Sequence, residues 1–136
     1  MKLITHPMYI ITAIQLSVVY EKVCRVERGC SCTTFISEPK CCCVGQSVTE
    51  IPENLTNNVR RLLLYNVGIN HIGENAFKRY QHLEEIVIED SDALQSINAD
   101  AFCNLYNLGK LSVSGCKNLK EVTGVLLINN TRILTL

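Results

Sequence analysis

The chain has 136 residues, a length that suits one domain with or without a targeting segment. Lys plus Arg and Asp plus Glu each number 13, so the formal net charge is zero, which argues against a nucleic-acid-binding surface because such a surface needs a basic excess. Hydrophobic residues make up 47% of the chain and aromatic residues only 6%, so Leu, Ile and Val carry the apolar content, as they do in repeats with an aliphatic core.

Residues 1–20 are predicted to form a secretory signal peptide. Lys2 places a positive charge near the start, and residues 8–19 are mostly apolar but too few for a comfortable membrane span. No clean small-x-small triplet precedes Glu21, so the cleavage position stays open, and the alternative is an apolar segment of a retained N-terminal helix. No other stretch is predicted to cross a membrane, so membrane anchoring is expected only if the chain is part of a longer receptor.

The cysteines are clustered near the N-terminus. Six of the eight lie between Cys24 and Cys43, which predicts a small subdomain held by disulfides in an oxidising compartment. A zinc site is the alternative, because four thiolates can bind zinc, but the predicted secretion argues against it and no metal or cofactor is expected. Cys103 and Cys116 come later, and no bridge between them is expected; Cys116 takes an apolar position of the pattern described next, where a thiol acts as a small hydrophobe.

One spacing of apolar residues occurs three times between residues 53 and 122. The copies start at Val59, Leu83 and Leu108, and the two intervals between these starts differ by a single position and fall within the leucine-rich-repeat range. Each start is followed at matching offsets by apolar residues, which are Leu62, Leu64, Val67, Ile69, Ile72 and Phe77 in the first and loosest copy, Ile86, Ile88, Leu94, Ile97 and Phe102 in the second, and Leu111, Val113, Cys116, Leu119 and Val122 in the third. Three unrelated amphipathic βα units are the alternative, but chance rarely preserves so many offsets.

The repeat predicts a leucine-rich-repeat solenoid, a right-handed β/α superhelix. Its curved parallel sheet forms the concave face, and short helices or turns, with Phe77 and Phe102 plugging the core, form the convex face. Because the end of a solenoid exposes apolar core, residues 24–52 are interpreted as a cysteine-rich N-terminal cap.

Short strands are predicted around Arg61–Tyr65, Glu85–Glu89 and Lys110–Ser114, where alternation directs one set of side chains into the core. The other set faces a ligand on the concave side, as solenoid faces generally do. The alternative is that these are merely solvated strand faces. The predicted ligand-binding residues are Arg61, Leu63, Tyr65, Glu85, Val87, Glu89, Lys110, Ser112 and Ser114.

Two N-glycosylation sequons occur, at Asn54 beside Pro52 and at Asn129 in the tail. No catalytic set is predicted. The histidines His6, His71 and His82 are far apart, there is no phosphate loop or nucleophile motif, and the chain is not expected to be an enzyme.

Residues 24–122 resemble the N-terminal ectodomain of the glycoprotein hormone receptors. The runs that carry the resemblance are Cys30-Ser-Cys32 and Cys43, Val48-Thr-Glu-Ile-Pro52, Leu83-Glu-Glu-Ile-Val-Ile88, Leu94-Gln-Ser-Ile-Asn-Ala-Asp-Ala-Phe102 with Asn104-Leu105, and Leu108 to Val113 with Asn118-Leu119.

The resemblance implies a function and a disulfide pattern. Members of the family bind a heterodimeric cystine-knot hormone on the concave face and signal through a seven-helix domain coupled to a G protein. Val87 and Ser112 depart from the charged contact residues typical of the family. The resemblance also implies the bridges Cys24–Cys32 and Cys30–Cys43. Cys41 and Cys42 depart from the pattern, and the open alternatives are that one of them replaces Cys43 as a partner, that they pair with each other under strain, or that they stay free.

The repeat frame is interpreted as ending at Val122, with residues 123–136 as an atypical tail from truncation, a splice form or an incomplete gene model. Val125 to Ile128 are expected to cover the open core in part. A fragment with about three repeats is expected to bind hormone weakly and, if the short form is real, to be secreted. The alternatives are a secreted leucine-rich-repeat protein with a matrix or adhesion role, or a soluble decoy.

Overall fold

A computed structural model describes residues 24, 26–33 and 37–123 of the chain. The predicted signal peptide, the second sequon at Asn129 and residues 124–136 of the tail lie outside the described residues. In the described part, a 3-10 helix covers Ala99–Phe102, and the strands are β1 (Gly29–Cys32), β2 (Lys40–Val44), β3 (Arg61–Tyr65), β4 (His71–Ile72), β5 (Glu85–Glu89), β6 (Ser96–Asn98), β7 (Lys110–Ser114) and β8 (Glu121–Thr123).

Five of these strands form the main sheet, in the order β1-β2-β3-β5-β7. β1 and β2 form an antiparallel hairpin, and the other pairs in this sheet are parallel. Arg61 lies opposite Glu85, and Glu85 lies opposite Lys110, so equivalent positions of successive repeats stand side by side. The predicted bounds of the three repeat strands are confirmed.

A second parallel sheet, β4-β6-β8, forms on the returning side of each repeat. His71 pairs with Ser96, and Ser96 pairs with Glu121, which again joins equivalent positions. The 3-10 helix follows β6 and is capped by the side chain of Asn98, which accepts the N–H of Asp100 at 2.9 Å. Stacked strand–turn–strand units with few helices form the predicted leucine-rich-repeat solenoid of about three turns.

The core lies between the two sheets. Alternation directs the predicted inward side chains into it, and each is at most 2% exposed: Leu62, Leu64, Ile86, Ile88, Leu111 and Val113. Phe77 and Phe102 enter from the opposite side, and their rings stack with centroids 5.5 Å apart. Burial of each large apolar side chain stabilises the fold by about 1.5–3 kcal/mol, so stacking of the repeats supplies most of the driving force.

The chain leaves the main sheet at a left-handed residue after each strand. Gly45, Asn66, Asp90 and Gly115 follow β2, β3, β5 and β7, with φ of 101°, 49°, 49° and 64°. Gly, Asn and Asp tolerate this backbone conformation better than other residues do. The sharp turn at each of these residues sends the chain back toward the second sheet.

The N-terminal cap is built on the β1–β2 hairpin. Disulfides join Cys30 to Cys43 and Cys32 to Cys41, which are directly opposite partners in the hairpin register. A third disulfide joins Cys24 to Cys42. The bridge Cys30–Cys43 is one of the two that the resemblance implied.

The implied bridge Cys24–Cys32 is wrong, and strand alternation gives the reason. Cys41 and Cys43 point into the main core, where Cys30 and Cys32 reach them, whereas Cys42 points to the concave face of the sheet. Cys24 lies on that concave face and therefore meets Cys42. All six cysteines of the cluster are thus paired, which leaves no thiolates there for the alternative zinc site.

Candidate protein-binding face

The concave face consists of the outward side chains of β3, β5 and β7, the three strands that share one register. Eight of the nine predicted ligand-facing residues are half-buried or exposed: Arg61, Tyr65, Glu85, Val87, Glu89, Lys110, Ser112 and Ser114. The structure therefore brings these side chains together on one surface, although their role in binding stays a prediction.

Leu63 differs from the other eight, because it is only 7% exposed. Cys24 and Val26 pack over it on the concave side, together with Cys42 and Val44 of β2. The Cys24–Cys42 disulfide holds this N-terminal segment in place. Leu63 is thus part of a small second core, which removes its side chain from the accessible face and corrects its assignment as a contact residue.

A row of charged side chains crosses the N-terminal ends of the three strands. Arg61 Nε donates to Glu85 Oε2 at 2.7 Å, and Lys110 Nζ donates to Glu85 Oε1 at 2.5 Å. Burial disfavours the Glu85 carboxylate, but the hydrogen bonds from Lys110 and Arg61 outweigh burial and lower the pKa of Glu85 below its ordinary value. Glu85 is therefore a fixed anion that aligns two cations at the edge of the face.

Lys40 extends this edge onto β2, because it lies opposite Arg61 in the register. Burial, followed by repulsion from the Arg61 guanidinium, lowers the pKa of Lys40. Lys40 is not among the residues that the sequence predicts for the face. Its position at the start of β2 follows once β2 is known to pair with β3.

The middle and the far side of the face are less charged. Val87 and Ser112 occupy the central positions of β5 and β7, side by side. Tyr65, Glu89 and Ser114 form the third row, in which Ser114 Oγ lies 3.4 Å from Glu89 Oε1. A surface with an uncharged centre and charged or polar groups on both sides has the chemistry of a protein-recognition surface.

The remaining predicted features lie away from this face. Asn54 is exposed, so a glycan at the first sequon has room. His71 Nδ1 lies 2.7 Å from Ser96 Oγ, which links β4 to β6, and His82 is in an exposed turn. Among the described residues, no three His, Cys, Asp or Glu side chains are grouped closely enough to hold a metal ion.

Cys103 and Cys116 are free thiols, Cys103 being exposed and Cys116 half-buried. Burial raises the pKa of the Cys116 thiol, in keeping with its packing against the core. Within the part of the chain that the structure describes, no helix is long and apolar enough to cross a membrane.

Residues 57–117 match the family model of the leucine rich repeat. The matched segment contains β3, β5 and β7, and so all three strands of the concave face. The architecture and this match define a leucine-rich-repeat fold, which typically serves as a non-enzymatic scaffold for binding a ligand or another protein. No curated protein matches the chain significantly.

Proposed function

We propose that this chain is the extracellular hormone-binding part of a glycoprotein hormone receptor, a G protein-coupled receptor when complete. Its partner would be a heterodimeric cystine-knot hormone bound on the concave face. Within that family, the sequence runs named above resemble the follitropin receptor. The chain would enter the secretory pathway and face the outside of the plasma membrane, or be secreted as a soluble short form.

The observation that carries the proposal is the concave face itself. Three strands in one register present Val87 and Ser112 at the centre, with the Arg61–Glu85–Lys110 row on one side. The disulfide cap and the exposed Asn54 sequon agree with an extracellular protein. The sequence runs shared with the hormone receptors supply the choice of ligand.

A matched pair of variants tests the proposal. Ser112→Arg places a long cation at the centre of the concave face, whereas Ser96→Arg places the same side chain on β6 of the second sheet. The two proteins, secreted from eukaryotic cells, would be titrated with heterodimeric hormones of the follitropin, lutropin and thyrotropin types in a surface-binding assay.

We expect weak binding of one hormone, reduced at least tenfold by Ser112→Arg and unchanged by Ser96→Arg, because interface energy is concentrated in a few central residues. Equal effects of the two variants would contradict the concave face as the binding site. A folded chain that binds none of the hormones but binds matrix components would favour the matrix or adhesion role instead.

A further inference from the structure

One edge of the concave face carries more positive than negative charge. The register places side by side the first residues of β2, β3, β5 and β7, which are Lys40, Arg61, Glu85 and Lys110. Three of these side chains are cations and one is an anion, although the chain as a whole has equal numbers of acidic and basic residues. Positive charge is therefore concentrated in these four residues, which we call the basic edge.

Glu85 is bound by its own neighbours on both sides. Its Oε2 accepts a hydrogen bond from Arg61 Nε, and its Oε1 accepts one from Lys110 Nζ. The Glu85 side chain is 13% exposed, whereas those of Arg61 and Lys110 are 43% and 60% exposed. The carboxylate thus lies beneath the two cations, and the outer sides of the cations face the solvent.

The two cations keep hydrogen-bonding capacity after they have bound Glu85. A guanidinium has five N–H donors and an ammonium has three, and Glu85 accepts one hydrogen bond from each group. Arg61 Nη1 also lies 3.9 Å from Glu38 Oε2, but the Glu38 side chain is 71% exposed, and a surface pair of this kind contributes little to stability. A carboxylate from a partner can therefore replace Glu38 beside Arg61 at a small cost.

The electrostatic environment of Lys40 reflects this excess of positive charge. Burial lowers the pKa of Lys40 most, and repulsion from the Arg61 guanidinium lowers it further, by more than attraction to Glu85 raises it. The single carboxylate of the basic edge therefore does not balance its three cations. A further anion beside Lys40 and Arg61 would relieve their repulsion.

The surroundings of the basic edge favour separate carboxylates over a polyanion. The next row of the concave face is uncharged at Val87 and Ser112, and negative charge occurs within the edge at Glu85 and beside it at Glu38. A nucleic acid needs a basic surface that follows its backbone, and a sulfated polysaccharide is likewise a chain of anions. Single carboxylates next to uncharged groups are instead what the surface of a protein offers.

We propose that the basic edge binds two carboxylate side chains of the protein partner, one beside Lys40 and Arg61 and the other at Lys110. The inference rests on the proposed function, since it takes the partner of the concave face to be a protein, and it adds the chemistry of the contact. Arg61 and Lys110 bind one carboxylate, so their charged ends lie close together. Acidic residues at alternate positions of an extended segment, about 7 Å apart, can therefore reach both cations.

A pair of peptides tests the proposal without the natural partner. The probe is a blocked pentapeptide with glutamate at its second and fourth positions and glycine elsewhere, and the control has glutamine in place of both glutamates. Each is titrated into the isotope-labelled full chain while NMR follows the backbone amides. We expect only the glutamate peptide to shift the amides of Lys40, Arg61 and Lys110, with an affinity that falls as salt is added. Equal shifts from the two peptides, or none from either, would overturn the proposal.

A matched pair of variants assigns the binding to the basic edge. Lys110→Gln should weaken binding of the glutamate peptide at least about fivefold, because it removes one of the paired charges. Lys120→Gln makes the same change at an exposed lysine just before β8 of the second sheet and should leave the affinity unchanged. Lys40→Gln should act like Lys110→Gln, and it keeps the test decisive if loss of the contact with Glu85 disturbs folding. Equal effects at Lys110 and Lys120, or tighter binding of a heparin tetrasaccharide than of the peptide at the edge, would contradict a site for protein carboxylates.

The hormone assay separates this inference from the proposed function. Hormone binding that Ser112→Arg reduces and Lys110→Gln leaves unchanged would overturn the inference alone. A chain that binds the glutamate peptide at the basic edge but none of the hormones would support the inference and contradict the proposed function.

Discussion

The hydroxyl of Ser91 accepts the backbone N–H of Val67, one repeat earlier, with Ser91 Oγ and Val67 N 3.1 Å apart. The same hydroxyl donates to the carbonyl of Glu89 at 3.1 Å, and Ser91 is 0% exposed. Val67 follows the turn at Asn66, where the chain has left the main sheet. Its buried N–H needs an acceptor, and the side chain of Ser91 in the next repeat provides it. Cys116 occupies the position of Ser91 in the following repeat, and its Sγ lies 3.5 Å from the Ser114 carbonyl oxygen, as Ser91 Oγ lies beside that of Glu89.

Loss of the Ser91 hydroxyl should therefore weaken the contact between the first two repeats. We expect Ser91→Ala to lower the free energy of unfolding by about 1–3 kcal/mol, the cost of a buried N–H left without a partner. Urea denaturation monitored by circular dichroism measures this free energy of unfolding. Ser112→Ala, which removes a half-exposed hydroxyl from β7, is the matched control and should change stability by less than about 0.5 kcal/mol. Equal effects of the two alanines would mean that the Ser91 bridge contributes little.

The ion-pair row should make stability fall at acid pH. The pKa of Glu85 is lower in the folded protein than its ordinary value of 4.5, because hydrogen bonds from Lys110 and Arg61 outweigh burial. A lowered folded pKa means that the stabilisation is complete above the ordinary value and is lost as the pH falls through the folded value. Thermal melts between pH 7 and pH 2 should show this loss in the wild type.

Glu85→Gln should lower stability at pH 7 and reduce its dependence on pH below the ordinary pKa of a glutamate. The control is Glu84→Gln. Glu84 forms an ion pair with Arg60, with Arg60 Nη1 and Glu84 Oε1 3.6 Å apart, and both side chains are half-exposed. Surface pairs of this kind contribute little. If Glu85→Gln and the wild type lost stability in parallel on acidification, another carboxylate would be responsible.

The disulfides Cys24–Cys42 and Cys30–Cys43 should stabilise different parts of the fold. Cys24→Ala combined with Cys42→Ala should release the segment over Leu63 and increase the binding of an apolar dye, while β5 keeps its protection against hydrogen exchange. Cys43 is 0% exposed and belongs to the main core. Replacing Cys30 and Cys43 by alanine should therefore lower protection in β2 and β3. Equal loss of protection in both double variants would show that the two cores are not separable.

Two glycines that look alike in sequence should respond differently to alanine. A Cβ atom at Gly68 would overlap the backbone carbonyl of Gln46, whereas a Cβ atom at Gly109 would meet nothing within 4 Å. The Gly68 N–H also donates to the Val48 carbonyl at 2.8 Å, which holds the cap against the first repeat.

We expect Gly68→Ala to lower the free energy of unfolding by about 1–3 kcal/mol, as overpacking usually does. Gly109→Ala should be neutral or stabilise the fold by up to about 1 kcal/mol, because alanine reduces the entropy of the unfolded chain. Chemical denaturation of both variants tests the contrast. A neutral Gly68→Ala would show that the cap can move away from the first repeat at little cost.

The sequence by itself determined the solenoid, the bounds of β3, β5 and β7, and the side chains that enter the core. These features follow from two periods, the alternation of residues along a strand and the nearly constant interval that separates Val59, Leu83 and Leu108, and both can be read directly from the order of the residues. The outward residues of the concave face follow from the same alternation, although Leu63, which also points outward, is covered by the N-terminal segment.

Only the tertiary structure decided what depends on contacts between separate segments. Cys24 pairs with Cys42 because the N-terminal segment crosses the concave face, and the same crossing buries Leu63. Ser91 looks like any polar loop residue until the preceding repeat places the Val67 N–H against it. Periodicity describes one strand at a time, whereas these contacts are determined by how the repeats and the cap pack on one another.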